Sequence, residues 1–136
     1  MMPFGFERFR GMIVVWAWMR GPRGERDVRL ALDTAAVKTL ILPDVLDDIG
    51  YSARDGEDIT IIRGANEDPE PGYTLRVQYF FALGFGFSDF QIHVQDMPDY
   101  KIDGLLGMNF LENFNFTVRP IDQEIHLEPA RPLVAA

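Results

Sequence analysis

The chain contains no cysteine and only two histidines. The first absence removes disulfides, thiol nucleophiles and cysteine-based zinc sites together. The second leaves little from which to build a histidine-ligated metal centre or a Ser-His-Asp triad. His93 alternates with apolar neighbours on the same side as Gln91 and Gln95, and His126 does so beside Glu124 and Glu128. Both rings are therefore expected to face solvent. Basic residues are also scarce: 13 Lys and Arg against 21 Asp and Glu give a net charge of -8. Nucleic acid and anionic membrane surfaces both select cationic proteins, so neither is an expected partner. No apolar run reaches transmembrane length. Residues 12–19 approach the length of a signal-peptide core, but Glu7 precedes them and Arg20-Gly21-Pro22 follows where a small-residue cleavage site would stand. This pattern favours a cytoplasmic location.

What the chain does have is apolar residues, 47% of its 136, enough for one domain with a packed core. Residues 1–10 space Phe4, Phe6 and Phe9 among polar neighbours without helix caps. They read as an extended arm in need of a surface, such as another subunit. The body of the domain runs over residues 11–128, and residues 129–136, rich in Pro and Ala, read as a loose tail. Within the body, residues 12–19 and 28–32 form a hairpin around Gly21-Pro22-Arg23-Gly24. That hairpin runs into Leu30-Ala31-Leu32-Asp33-Thr34-Ala35-Ala36, where an apolar strand ends on a carboxylate at a bend. Two readings stand at this point. Asp33 either carries chemistry from a rigid support or, with Thr34, caps the turn through its side-chain oxygen.

Residues 39–42 give a short strand, and Pro43-Asp44 opens a short helix that ends at Gly50. Asp44, Asp47 and Asp48 read as its solvated face, and neither a metal nor a cofactor is expected. Strands over residues 59–62 and 73–81 flank an acidic, Gly- and Pro-bearing segment that reads as an exposed hairpin tip. The glycines of Leu83-Gly84-Phe85-Gly86-Phe87 are not followed by Lys-Ser/Thr, so they mark a tight turn and not a phosphate loop. A second unusual stretch, Ile102-Asp103-Gly104-Leu105-Leu106-Gly107-Met108-Asn109-Phe110-Leu111, passes from a strand through glycines into a short helix. Residues 31–36 and 101–107 occupy similar positions, which hints at a duplicated half-barrel with Asp103 echoing Asp33.

Taken together, the two motifs resemble those of the retroviral-type, or retropepsin-like, aspartic peptidases, including the gag-polyprotein-type aspartyl protease families of bacteria. The likeness extends from about Gly11 to Leu127. Residues 28–36 look like the family's strand followed by Asp-Thr-Gly-Ala, with Thr39 at a commonly hydroxylated position. Leu105, Leu106, Gly107 and Asn109 look like its apolar-apolar-Gly motif and following helix.

The resemblance implies an all-β closed half-barrel with one or two short helices, active as a symmetric homodimer on a peptide or protein substrate. It also implies that Asp33 is the catalytic carboxylate and that Thr34 locks the two active-site loops together. Ala35 and Ala36 would line the substrate backbone, and Ile62, Arg63, Gly64 and Ala65 would lie in the flap. The chain departs from the pattern in two places. Ala35 stands where the family usually has glycine, and a Cβ there would strain the turn if its φ were positive. Val37 and Met108 replace an acid and an arginine that pair near the family's dimer interface, so an apolar contact is expected in their place. The same resemblance admits a non-catalytic dimer that serves as a peptide-binding or assembly module.

Overall fold

Alternation of apolar and polar residues is the dominant local signal, and strands dominate the computed structural model, which describes residues 2–57, 59–63, 69–97 and 101–129. In chain order the described elements are β1 (Met2–Gly5), β2 (Glu7–Phe9), β3 (Met12–Gly21), β4 (Gly24–Leu32), β5 (Leu40–Ile41), α1 (Pro43–Asp48), β6 (Ile59–Arg63) and β7 (Pro69–Ala82). They continue with β8 (Phe85–Val94), β9 (Gly104–Leu106), α2 (Met108–Leu111), β10 (Phe114–Arg119) and β11 (Glu124–Pro129). The large sheet has the order β2-β3-β4-β9-β5-β8-β7-β6. A further pairing of β3 with β7, from Ala17↔Ala82 to Arg20↔Tyr79, closes it into a barrel.

The inner face follows the alternation along β3 and β4, and in β7 the buried positions shift phase between Val77 and Phe80. Val15, Ala17 and Met19 of β3, Val28 and Leu30 of β4, and Leu75, Val77 and Phe80 of β7 are all buried in one cluster. Aromatic rings supply its volume. Phe80 stacks on Phe90 with centroids 4.6 Å apart and meets Phe110 edge-on at 5.7 Å. Such pairs add roughly 0.5–1.5 kcal/mol each beyond the area they bury. A smaller cluster of Val14, Ala31 and Ile102 lies apart from this one.

Helix α1 forms where Pro43 pre-sets the first turn and Asp44 complements its dipole, with Val45 and Leu46 turned into the core. It stops because Gly50 adopts a φ of +98°. Gly50 lets the Tyr51 N–H reach back to the Leu46 carbonyl at 2.9 Å, a Schellman closure. Asp48 is more than solvated surface, since its carboxylate pairs with Arg26.

Two expectations change at the ends of the sheets. Residues 2–5 find their surface within the same chain: β1 pairs antiparallel with β11, which also pairs with β10, and Phe6 is buried. The extended character predicted for the arm is correct, and its partner is internal. His93 does not face solvent but is only 5% exposed. Alternation assigns a residue to a face, and here both faces are covered, because β8 is flanked by β5 and β7 and consecutive residues Ile92, His93 and Val94 are all buried. The ring lies against Gly72, where any Cβ would come within 2.5 Å of Nε2. His126 keeps the predicted arrangement, with Nε2 3.2 Å from Glu124 Oε1.

Candidate active site

Asp33 leaves the C-terminal end of a strand held on both sides. β4 pairs antiparallel with β3 and parallel with β9, in the register Leu30↔Gly104, Ala31↔Leu105 and Leu32↔Leu106. The ladder continues one step further, because the Asp33 N–H donates to the Leu106 carbonyl at 3.0 Å. The chain then turns, with the Ala36 N–H on the Asp33 carbonyl at 3.2 Å and the Ala35 N–H on Asp33 Oδ1 at 2.9 Å. One carboxylate oxygen thus caps the turn. The other accepts no hydrogen bond among the described residues. Both roles weighed for Asp33 are therefore compatible, one for each oxygen. Thr34 and Ala35 are exposed beside it.

The backbone at Ala35 is not in the left-handed region, which among non-glycine residues is entered only by Arg10, Leu83, Asp89, Lys101 and Gln123 of the described chain. An alanine therefore fits this turn without backbone strain.

The second motif holds the loop from below. The Met108 N–H donates to the Ala36 carbonyl at 2.7 Å, and the Asn109 N–H to the Val37 carbonyl at 3.0 Å. Asn109 Oδ1 accepts both the Thr39 N–H and the Thr39 hydroxyl, each at 2.8 Å, while its Nδ2 donates to the Gln91 carbonyl at 2.7 Å. The buried Thr39 hydroxyl oxygen accepts the Gly107 N–H at 3.1 Å. One amide side chain thereby ties the Asp33 loop to α2 and to β8. Close approach explains both glycines of the motif. A Cβ on Gly107 would lie 2.6 Å from the Lys38 carbonyl, and one on Gly104 would lie 1.9 Å from that of Leu40.

Asp103 plays a different part from the one its sequence position suggests. By register the residue beside Asp33 is Gly107, since Leu32 pairs with Leu106. Asp103 instead lies beside Arg29: its N–H donates to the Arg29 carbonyl and its Oδ2 accepts the Arg29 N–H, both at 2.8 Å. Its Oδ1 is 3.3 Å from Arg26 Nη2. The only signal for this bond in the sequence was an acid at the mouth of a glycine-flanked strand, and such a signal does not name a partner 74 residues away. Of the residues expected in the flap, Ile62 and Arg63 lie on β6, which pairs antiparallel with β7 in the register Ile62↔Glu70 and Arg63↔Pro69. Gly64 and Ala65 lie outside the described residues. No three acidic or histidine side chains converge as a metal site among the described residues.

Residues 19–110, from β3 to α2, match the family model described as aspartyl protease. The chain belongs to the aspartyl protease family. That match includes both Asp33 and Asn109. No curated protein matches the sequence. Among solved structures, this aspartyl protease-family chain is similar to a retropepsin-like aspartic protease from Rickettsia conorii, with a TM-score of 0.69 at 19% identity. The similarity covers 92% of this chain and 98% of that one. It is also similar to EIAV protease complexed with the inhibitor HBY-793, with a TM-score of 0.57 at 16% identity over 78% and 90% of the two chains. The retroviral protease-like domain of Ddi1 from Leishmania major gives a TM-score of 0.54 at 14% identity over 90% and 98%. The all-β barrel with two short helices is thus a retropepsin-like fold. No described helix is long and apolar enough to cross a membrane.

Proposed function

We propose that this chain is an aspartic endopeptidase that works as a symmetric homodimer, with one Asp33 from each copy forming the catalytic pair. The observation that carries the reading is the division of labour between the acids. Among the described residues Asp33 keeps one oxygen unengaged on an exposed loop, whereas both oxygens of Asp103 are engaged within the chain. One chain thus supplies one carboxylate suited to the chemistry, and hydrolysis by a pair needs a second copy.

Two facing carboxylates cannot both ionise cheaply, so the pair retains one proton, and its apparent pKa values belong to the pair. The ionised member takes a proton from water as the water oxygen bonds to the scissile carbonyl carbon. The protonated member gives its proton to the carbonyl oxygen. Collapse of the tetrahedral diol breaks the C–N bond, with a proton passing to the leaving amine, and yields acid and amine. Thr34, exposed next to Asp33, is suited to bond across the two loops. Val37, 78% exposed, offers an apolar contact where the related viral enzymes use an ion pair. Ala35 and Ala36 would lie along the substrate backbone beneath a flap built on β6 and β7.

The test is hydrolysis of a mixed peptide library by the wild-type chain and by Asp33→Asn, combined with sedimentation equilibrium. Cleavage blocked by pepstatin and lost in Asp33→Asn, with a particle of twice the 15.5 kDa chain mass for both proteins, supports the proposal. Unchanged cleavage by the variant, or an active monomer, overturns it. A dimer that binds peptides and never cleaves them assigns the cleft to the binding or assembly role.

A further inference from the structure

A second constellation lies on the outer face of the barrel, where β4, β3 and β7 run side by side. Cross-strand register builds it in rows: Asp27 pairs with Trp18, which pairs with Phe81, while Glu25 pairs with Arg20, which pairs with Tyr79. Trp16 pairs with Arg29 one step further along. The rings do not form a flat surface. Trp18 meets Tyr79 edge-on at 5.4 Å and Phe81 at 6.3 Å, leaving a groove of about 520 Å³ lined by Trp16, Ala17, Trp18, Asp27, Tyr79 and Phe81. Trp16 is 54% exposed and Phe81 39%, more than isolated burial failures would leave on one contiguous face.

The surroundings of the groove indicate what suits it. Arg20 lies over Trp18, with its guanidinium carbon 5.3 Å from the ring centre, and over Tyr79 at 6.0 Å, while its Nε sits 3.8 Å from Glu25. Arg29 lies over Trp16 at 6.0 Å and pairs with Glu7 at 3.2 Å. The chain thus builds the same arrangement twice: an aromatic face, an arginine stacked on it and a carboxylate holding the arginine. Asp27 supplies a third carboxylate between these two sets, against the same rings, and has no ion pair or hydrogen bond among the described residues. Ring quadrupoles and a carboxylate both favour a cation, and the planar guanidinium matches a stacking face better than an ammonium does. The net charge of -8 adds a long-range attraction for a basic partner.

We propose that this groove is a docking site for an arginine side chain of a partner polypeptide, stacked on Trp18 and held by Asp27. The site does not depend on catalysis at Asp33. Asp27 lies six residues before Asp33 along β4, or about 20 Å at the rise of an extended strand, so either site can be altered without touching the other.

Both tryptophans of the chain line the groove, so their emission reports binding without a label. The wild-type chain is titrated with acetyl-Ala-Ala-Arg-Ala-Ala-amide and with the neutral peptide carrying citrulline in place of arginine. The expected result is a saturable emission change with the arginine peptide, roughly tenfold weaker binding for citrulline and for the Asp27→Asn variant, and no change in Asp33→Asn. Asp27 is exposed, so its replacement should leave the fold intact, which the melting curve checks. Equal binding of the citrulline peptide, undiminished binding by Asp27→Asn, or no saturable change overturns the proposal. So does a fall in particle mass on Trp16→Ala with no response to peptide, because the groove would then be a seat for a second copy.

Discussion

Asp33 and Asp103 look alike in sequence and differ in what surrounds them. Each follows or precedes an apolar strand and stands next to small residues, and their strands, β4 and β9, lie parallel in the same sheet. Asp103 is spent on structure. It joins the backbone of β4 through a pair of hydrogen bonds with Arg29 and takes Arg26 on its other oxygen, with a side chain only 24% exposed. Asp33 spends one oxygen on its own turn, and the other has no partner among the described residues. A carboxylate can serve as an anchor or as a reagent, and the count of hydrogen bonds already made decides which. The scaffold engages Asp103 fully and holds Asp33 on a loop fixed by its own turn, the arrangement that the proposed catalytic pair requires.

Exchanging the two acids for neutral residues breaks this comparison most directly. Asp33→Asn should lower peptide hydrolysis on the order of 10³-fold or more while leaving the melting temperature nearly unchanged, because the amide oxygen still accepts the Ala35 N–H. Asp103→Leu should do the reverse. It removes the acceptor of a backbone N–H and the partner of Arg26, at a cost of about 2–3 kcal/mol read by urea unfolding. Catalysis by the molecules that remain folded should persist. If Asp103→Leu melts like wild type, the anchoring role is wrong.

A smaller effect tests the link between the Asp33 loop and the second motif. Asn109→Ala leaves the Thr39 N–H and hydroxyl without their shared acceptor, and should cost about 1–3 kcal/mol. Its signature is a fall in kcat larger than any change in KM, since the loop stays present but is less firmly placed. Asn109→Asp should not restore the loop at neutral pH, because Thr39 still finds an acceptor but a carboxylate oxygen then faces the Gln91 carbonyl oxygen where Nδ2 donated at 2.7 Å.

The smallest effect separates the pH response of the scaffold from that of the site. Burial pushes the His93 pKa below its ordinary 6.5, against the opposing hydrogen bond to Gln95, and the nearby positive charge of Lys38 lowers it further. The folded state therefore binds the proton less readily than the unfolded chain. The stability this confers is complete above about pH 6.5 and is lost as the pH falls from there towards the lowered folded value. In His93→Leu, that part of the acid destabilisation should disappear from melting curves. A wild-type slope retained in the variant would place the titration elsewhere.

Most of the strands were legible because their signals are local. Alternation in residues 12–19 and 28–32, the turn at residues 21–24 and the Pro43 to Gly50 helix each lie within a short window, and β3, β4 and α1 appear there. The neighbourhood of the site was legible too, as two short motifs in order. The family resemblance singles out Thr39, but its bond to Asn109 cannot be read from sequence, since the two are 70 residues apart. The burial of His93 is not legible in the sequence for a related reason. Period two tells which side a residue faces, and only the assembled barrel decides whether that side is covered.

The sequence by itself therefore determined the strand that carries Asp33, the glycines that let β9 approach β5 and the Asp33 loop, and the aromatic supply of the core. These depend on steric and hydrophobic preferences expressed within a few residues. Tertiary structure alone decided that both oxygens of Asp103 are engaged but, among the described residues, only one of Asp33, and that Asn109 reaches Thr39. It also decided that Asp27 stands against Trp18 with no ion pair among the described residues. Those outcomes are set by the pairing register between distant strands, which fixes how many partners each polar atom meets and hence which charges are left to act.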